Sequence, residues 1–192
     1  MAGKPSSASK SGPICIALLR GINVGRAKRI SMAELKALFE ALGFRNVRTL
    51  LNSGNVVFDP GRNSPENIGR KVEQALEKRH GFSAAVMVTT AAELRRIVEA
   101  NPLLKVVKDP SRHLVAFVAG RTALARAEPL LAEDWKSDAF AIGPEAAYLW
   151  CAKGILDSKL LQAFGRVMGE GVTTRNWATV LKLHAMVAEQ GG

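Results

Sequence analysis

A chain of 192 residues, 47% of them hydrophobic, can bury a sizeable core, as one large domain or as two small ones sharing an interface. Its formal charge of +10 points to an anionic partner. The sequence shows no apolar h-region near its start and no run of roughly 18 apolar residues, so neither a secretory signal nor a membrane span is expected.

Met1 to Gly12 is Ser, Gly, Lys and Ala without periodicity and reads as a flexible tail, 1–12. Ile14 to Leu19 is a continuous apolar run suited to a buried strand. Ser31-Met32-Ala33-Glu34 is a capping box that opens an amphipathic helix to Leu42, stopped by Gly43. Val47–Leu51 and Val56–Phe58 flank Asn52-Ser53-Gly54-Asn55 and read as a tight hairpin. Ser64-Pro65-Glu66 caps a helix to about Arg79, and Phe82 to Val88 forms a fourth strand. The order β-α-β-β-α-β is that of a ferredoxin-like unit, residues 13–89.

After Thr89, Thr90 caps a helix to about Ala100, and Asn101-Pro102 ends it. His113–Ala119 reads as a strand, Thr122 opens a helix, and Asp138–Ile142 with Ala146–Ala152 forms a second hairpin. Helices are expected over Ile155–Met168 and Thr174–Val187. This second α+β unit, 90–192, is β-α-β-β-α-α, a variant of the first plan. The fold class is α+β. The two cysteines, Cys15 and Cys151, lie in apolar strand-like runs, which favours buried reduced thiols in a cytoplasmic protein over a disulfide.

The positive charge is unevenly spread. Residues 1–50 hold nine Lys or Arg against Glu34 and Glu40 alone, and Arg20, Arg26, Lys28 and Arg29 fall within ten residues. The cluster is either a solvated basic loop or an anion-binding surface. In a split β-α-β topology the end of the first strand, the Ser31 helix terminus and the Asn52–Asn55 hairpin reach one rim. A basic loop, free helix amides and an amide-rich turn each favour a negatively charged ligand.

Leu18-Leu19-Arg20-Gly21-Ile22-Asn23-Val24-Gly25, Asn52-Ser53-Gly54-Asn55-Val56-Val57-Phe58 and Thr173-Thr174-Arg175-Asn176-Trp177 resemble, in order, the signatures of an uncharacterised, mainly bacterial family of unknown function. The resemblance spans nearly the whole chain after the tail. It implies a two-part α+β fold with a ferredoxin-like portion and no established activity. Arg26 stands where that family commonly has a second Gly, and Ala178 where it commonly has Asn.

Each motif has a structural rival. Arg20 can pair across an interface, Asn23 can close an Asx turn, and Asn52 and Asn55 can serve the hairpin backbone. Thr173, Thr174, Arg175 and Asn176 read as the crowded first turn of a helix, where an Arg opposes the dipole and suggests a bound anion. Trp177 reads as core packing. The three histidines show no ligand spacing, so no metal is expected; nor is a cofactor, since there is no P-loop and Gly21–Gly25 is too short for a dinucleotide fingerprint. No catalytic constellation decides whether the chain is an enzyme.

The expected function is binding of a small anionic, phosphorylated ligand at a basic rim between the units. The candidate residues are Arg20, Asn23, Arg29, Ser31, Asn52, Ser53, Asn55, Thr173, Thr174, Arg175 and Asn176. The alternative is an RNA or single-stranded nucleic-acid binding module. No membrane partner is expected, and oligomeric state is open.

Overall fold

The structure is a computed structural model that describes residues 13–118 and 120–190, so the expected tail, 1–12, lies outside the described residues. The first half runs β1 (Cys15–Leu19), α1 (Met32–Ala41), β2 (Arg45–Leu50), β3 (Asn55–Asp59), α2 (Pro65–His80), β4 (Val86–Thr90) and α3 (Ala91–Glu99). Its sheet has the antiparallel order β2-β3-β1-β4 of a ferredoxin-like fold. The second half runs β5 (His113–Val118), a 310 helix (Arg121–Ala132), β6 (Ala139–Ile142), β7 (Ala146–Trp150), α4 (Lys159–Met168), β8 (Val172–Asn176) and α5 (Trp177–Gln190). Its sheet order, β6-β7-β5-β8, is the same.

The α+β class is borne out, with one correction that matters for the site. The Thr173–Asn176 run is not the first turn of a helix. It is the edge strand β8, paired antiparallel to β5, so the second half repeats the first element for element. The helix begins at Trp177, where the Asn176 Oδ1 accepts from the Thr179 amide at 2.9 Å and hydroxyl at 2.7 Å. The segment after Gly120 is a 310 helix rather than an α-helix, and it contains Pro129, which removes a backbone donor.

Local chemistry explains most of the element starts. Ser31 and Glu34 form a full capping box, as do Thr90 and Glu93. Ser158 rather than Ile155 opens α4, because its hydroxyl accepts from the Leu161 amide and donates to Asp138. Gly81 ends α2 in the left-handed region at φ 71°.

Alternation along the strands divides the interior into three layers. Cys15, Ala17, Leu19, Val56 and Phe58 face α1 and α2, where Phe39, Phe44 and Phe58 pack with centroids 4.9–5.7 Å apart. Ile16, Leu18 and Val57 face the opposite way, into a core shared with Val115, Phe117 and Tyr148 of the second sheet and with α3 and α5. Leu114, Ala116, Ala147 and Leu149 face the 310 helix and α4. Both faces of each sheet are therefore covered. Cys15 and Cys151 are free and buried, and burial pushes the Cys15 thiol up to about 12.

Candidate functional site

The rim forms where β1 ends. Gly21 and Gly25 take positive φ, as does Asn23 at 57°, and Asn23 organises the loop between them. Its backbone N–H donates to the Lys28 carbonyl at 2.7 Å, its Oδ1 accepts from the Ile30 amide at 3.0 Å, and its Nδ2 donates to the carbonyls of Ile30 and Asn52, both at 2.9 Å. One side chain thus ties the basic loop to the β2–β3 hairpin. Beneath it Ile22 is buried against Gly54, where a Cβ would lie 2.7 Å from Ile22 Cδ1.

The second half meets this rim through two arginines. Arg20 Nη1 donates to the Gly169 carbonyl at 2.8 Å, past the end of α4. Arg175 reaches across from β8. Its Nε donates to Asn55 Oδ1; Nη1 donates to Thr173 Oγ1 at 3.0 Å and the Thr174 carbonyl at 2.9 Å. Its Nη2 donates to the carbonyls of Leu19 at 2.8 Å, Ser53 at 3.1 Å and Gly54 at 3.3 Å. All five guanidinium donors are used, and every acceptor is neutral. Burial of a cation among neutral acceptors pulls its pKa down to about 10, so it stays charged at neutral pH. Asn55, fully buried, donates through Nδ2 to the Leu50 carbonyl and Ser53 Oγ and so fixes the oxygen that Arg175 uses.

The candidate residues therefore separate. Arg20, Asn23, Ser53, Asn55, Thr173, Thr174 and Arg175 meet at the junction, and the backbone carbonyl of Asn52 joins them through Asn23. Asn176 caps α5 instead. Arg29 turns back, its Nε donating to the Gly25 carbonyl at 2.9 Å. Ser31 does not offer free amides: the Glu34 carboxylate already accepts from its N–H at 2.9 Å and its hydroxyl at 2.7 Å, and those bonds hold that carboxyl below its usual range.

Beside the junction lies a cleft of about 390 Å³ lined by Arg20, Gly21, Lys28, Glu73, Ser83, Ala85 and Glu170. Glu73 is partly engaged, its Oε1 accepting from the Val86 amide at 2.8 Å. Arg20 and Lys28 form no ion pair among the described residues. Glu73, Ser83 and Glu170 carry no motif that distinguishes them in the sequence; only the packing of α2 and the α4–β8 turn against the loop brings them here. Among the described residues no cluster of three or more His, Cys, Asp or Glu is arranged for a metal ion, and no helix is long and apolar enough to cross a membrane.

An α+β protein built of two related ferredoxin-like halves that meet at a polar junction is the class that these features define. The chain belongs to the protein family of unknown function DUF1697, whose model it matches over residues 14–148. The family resemblance is borne out, and of the three motifs that carry it the first two fall inside the matched residues. The solved structure of the conserved bacterial protein SP0830 from Streptococcus pneumoniae is similar in fold, with a TM-score of 0.75 at 21% identity, covering 91% of this chain and 98% of that one. No relative is found among curated proteins.

Proposed function

We propose that the protein binds a small phosphorylated anion in the cleft bordered by Arg20 and Lys28. The observation that carries this reading is that Arg20 and Lys28 line one cleft at the junction of the halves and form an ion pair with neither Glu73 nor Glu170, the two carboxylates that share its lining. Exposed Arg26 and Arg29 on the same loop add to the local positive potential. Arg175 has no donor left for a ligand; it positions the strand end from which Arg20 projects. Two free, buried thiols support a reducing, cytoplasmic setting.

An extended nucleic-acid surface has less support. Ferredoxin-like RNA binders stack bases on an open sheet face, and here both faces of each sheet are packed.

The reading is tested by calorimetric titration with inorganic phosphate, with AMP and with a single-stranded RNA, on wild type and Lys28→Ala. Binding of phosphate or AMP that Lys28→Ala weakens about tenfold supports it. RNA binding with a steep salt dependence and no response to AMP replaces it with the nucleic-acid reading. No heat with any of the three overturns both.

A further inference from the structure

The pairing registers give the two halves a residue-by-residue correspondence. Ile16 lies between Val57 and Thr89; Val115 lies between Tyr148 and Arg175. Thr89 and Arg175 are therefore equivalent positions. Leu18 pairs with Asn55 and Phe117 with Ala146, so Leu19 corresponds to Val118, and Gly54 to Glu145.

At the first junction the Arg175 guanidinium fills the space between β8, the end of β1 and the β2–β3 hairpin. At the equivalent junction Thr89, Val118 and Glu145 instead line a groove of about 730 Å³. The Thr89 hydroxyl is too short to cross it and donates to Glu93 Oε2 at 3.2 Å. Glu145 accepts from Arg96 through Oε1, whereas its Oε2 is shielded from solvent and has no hydrogen-bond partner. A shielded carboxylate oxygen without a donor is costly unless a donor is supplied. Leu18, Met87, Ile97 and Phe117 also line the groove and suit a methylene chain that carries a charged head.

We propose that this groove binds a guanidinium or alkylammonium group, seated as the Arg175 guanidinium is seated at the other junction, with Glu145 as its counter-charge. The cation meets a carboxylate, paired with Arg96 through Oε1 alone, where Arg175 meets only neutral oxygens. The group belongs either to a free amine or to a basic side chain of a peptide.

Two probes distinguish these sources: agmatine for the free amine and N-acetyl-arginine amide for the side chain. Each is titrated calorimetrically into wild type, Glu145→Gln and Thr89→Arg. Wild type is expected to bind at least one probe, the tighter one indicating the source. Glu145→Gln keeps the shape of the side chain and an oxygen for Arg96, and it is expected to lose about tenfold or more in affinity. Thr89→Arg supplies the cation from within the chain; it is expected to abolish probe binding and raise Tm, and the rise should vanish in the Thr89→Arg, Glu145→Gln double variant. The proposal is overturned by the absence of binding of both probes to wild type, whatever Thr89→Arg does to stability. It is equally overturned by binding that survives both single substitutions.

Discussion

Arg175 in the last strand of the second sheet donates through Nε to the fully buried Oδ1 of Asn55, 120 positions earlier in the first sheet. The bond joins the edge strand β8 of one sheet to the interior strand β3 of the other, with which it shares no β-ladder, and the same guanidinium holds the carbonyls of Leu19, Ser53 and Gly54.

Removing that guanidinium strands several shielded oxygens at once. Arg175→Ala is expected to cost about 3 kcal/mol, measured by urea denaturation, with relief of the buried charge offsetting part of the loss. Arg175→Lys keeps the charge but not the fork geometry and should fall between the two. An Arg175→Ala chain as stable as wild type would show that water substitutes for all of these donors.

Gly54 has φ +77° and no room for a methyl group, with Ile22 Cδ1 2.7 Å from the place a Cβ would take. Gly54→Ala should destabilise by about 1–3 kcal/mol. Ile22→Val in the same chain should recover part of that loss, because it removes the clashing methyl. A strictly additive double variant would place the whole penalty in the backbone.

His113 is buried, and its two nitrogens have opposite tasks. Nδ1 faces the Leu149 carbonyl at 3.1 Å and must donate, whereas Nε2 faces Asn101 Nδ2 at 2.8 Å and must accept. Asn101 is held in that orientation by its Oδ1, which accepts from the Leu103 amide. Burial, opposed by the bond to Leu149, holds the imidazole below its usual 6.5. In the window below 6.5 the unfolded chain binds more protons than the folded one, so stability falls as pH drops through that value and levels off only below the folded-state pKa. Melting curves at pH 7.5 and 5.5 should therefore diverge for wild type and move closer together in His113→Gln.

Asn23 makes four hydrogen bonds through its backbone and side chain and sits at positive φ. Asn23→Ala should cost about 2 kcal/mol and speed amide exchange across Gly21–Ile30, and Asn23→Gly should recover only the backbone part. Unchanged exchange in the loop would assign its order to Ile22 instead.

The reach of the sequence follows the range of each interaction. The capping boxes at Ser31 and Thr90 and the β2–β3 hairpin are local, and their residues announce them. The strand β8 was hidden because Thr173, Thr174, Arg175 and Asn176 copy the composition of a helix start; the β-branched run Val172-Thr173-Thr174 was the available strand signal. The acceptors of Arg175 lie over a hundred residues away, and nothing near it in the chain distinguishes a guanidinium turned inward from one awaiting a ligand. Covering of both sheet faces was equally out of reach, since it depends on α3 and α5 meeting in the middle.

That central layer has a bearing on synthesis. Ile16, Leu18 and Val57 emerge early, but Trp177, Val180, Leu183 and Val187, with which they share a core, emerge last. A ribosome-bound chain that has completed its first sheet therefore presents an apolar face to the cell that α3, the second sheet and α5 cover only in turn, the interval in which a holding chaperone would matter most.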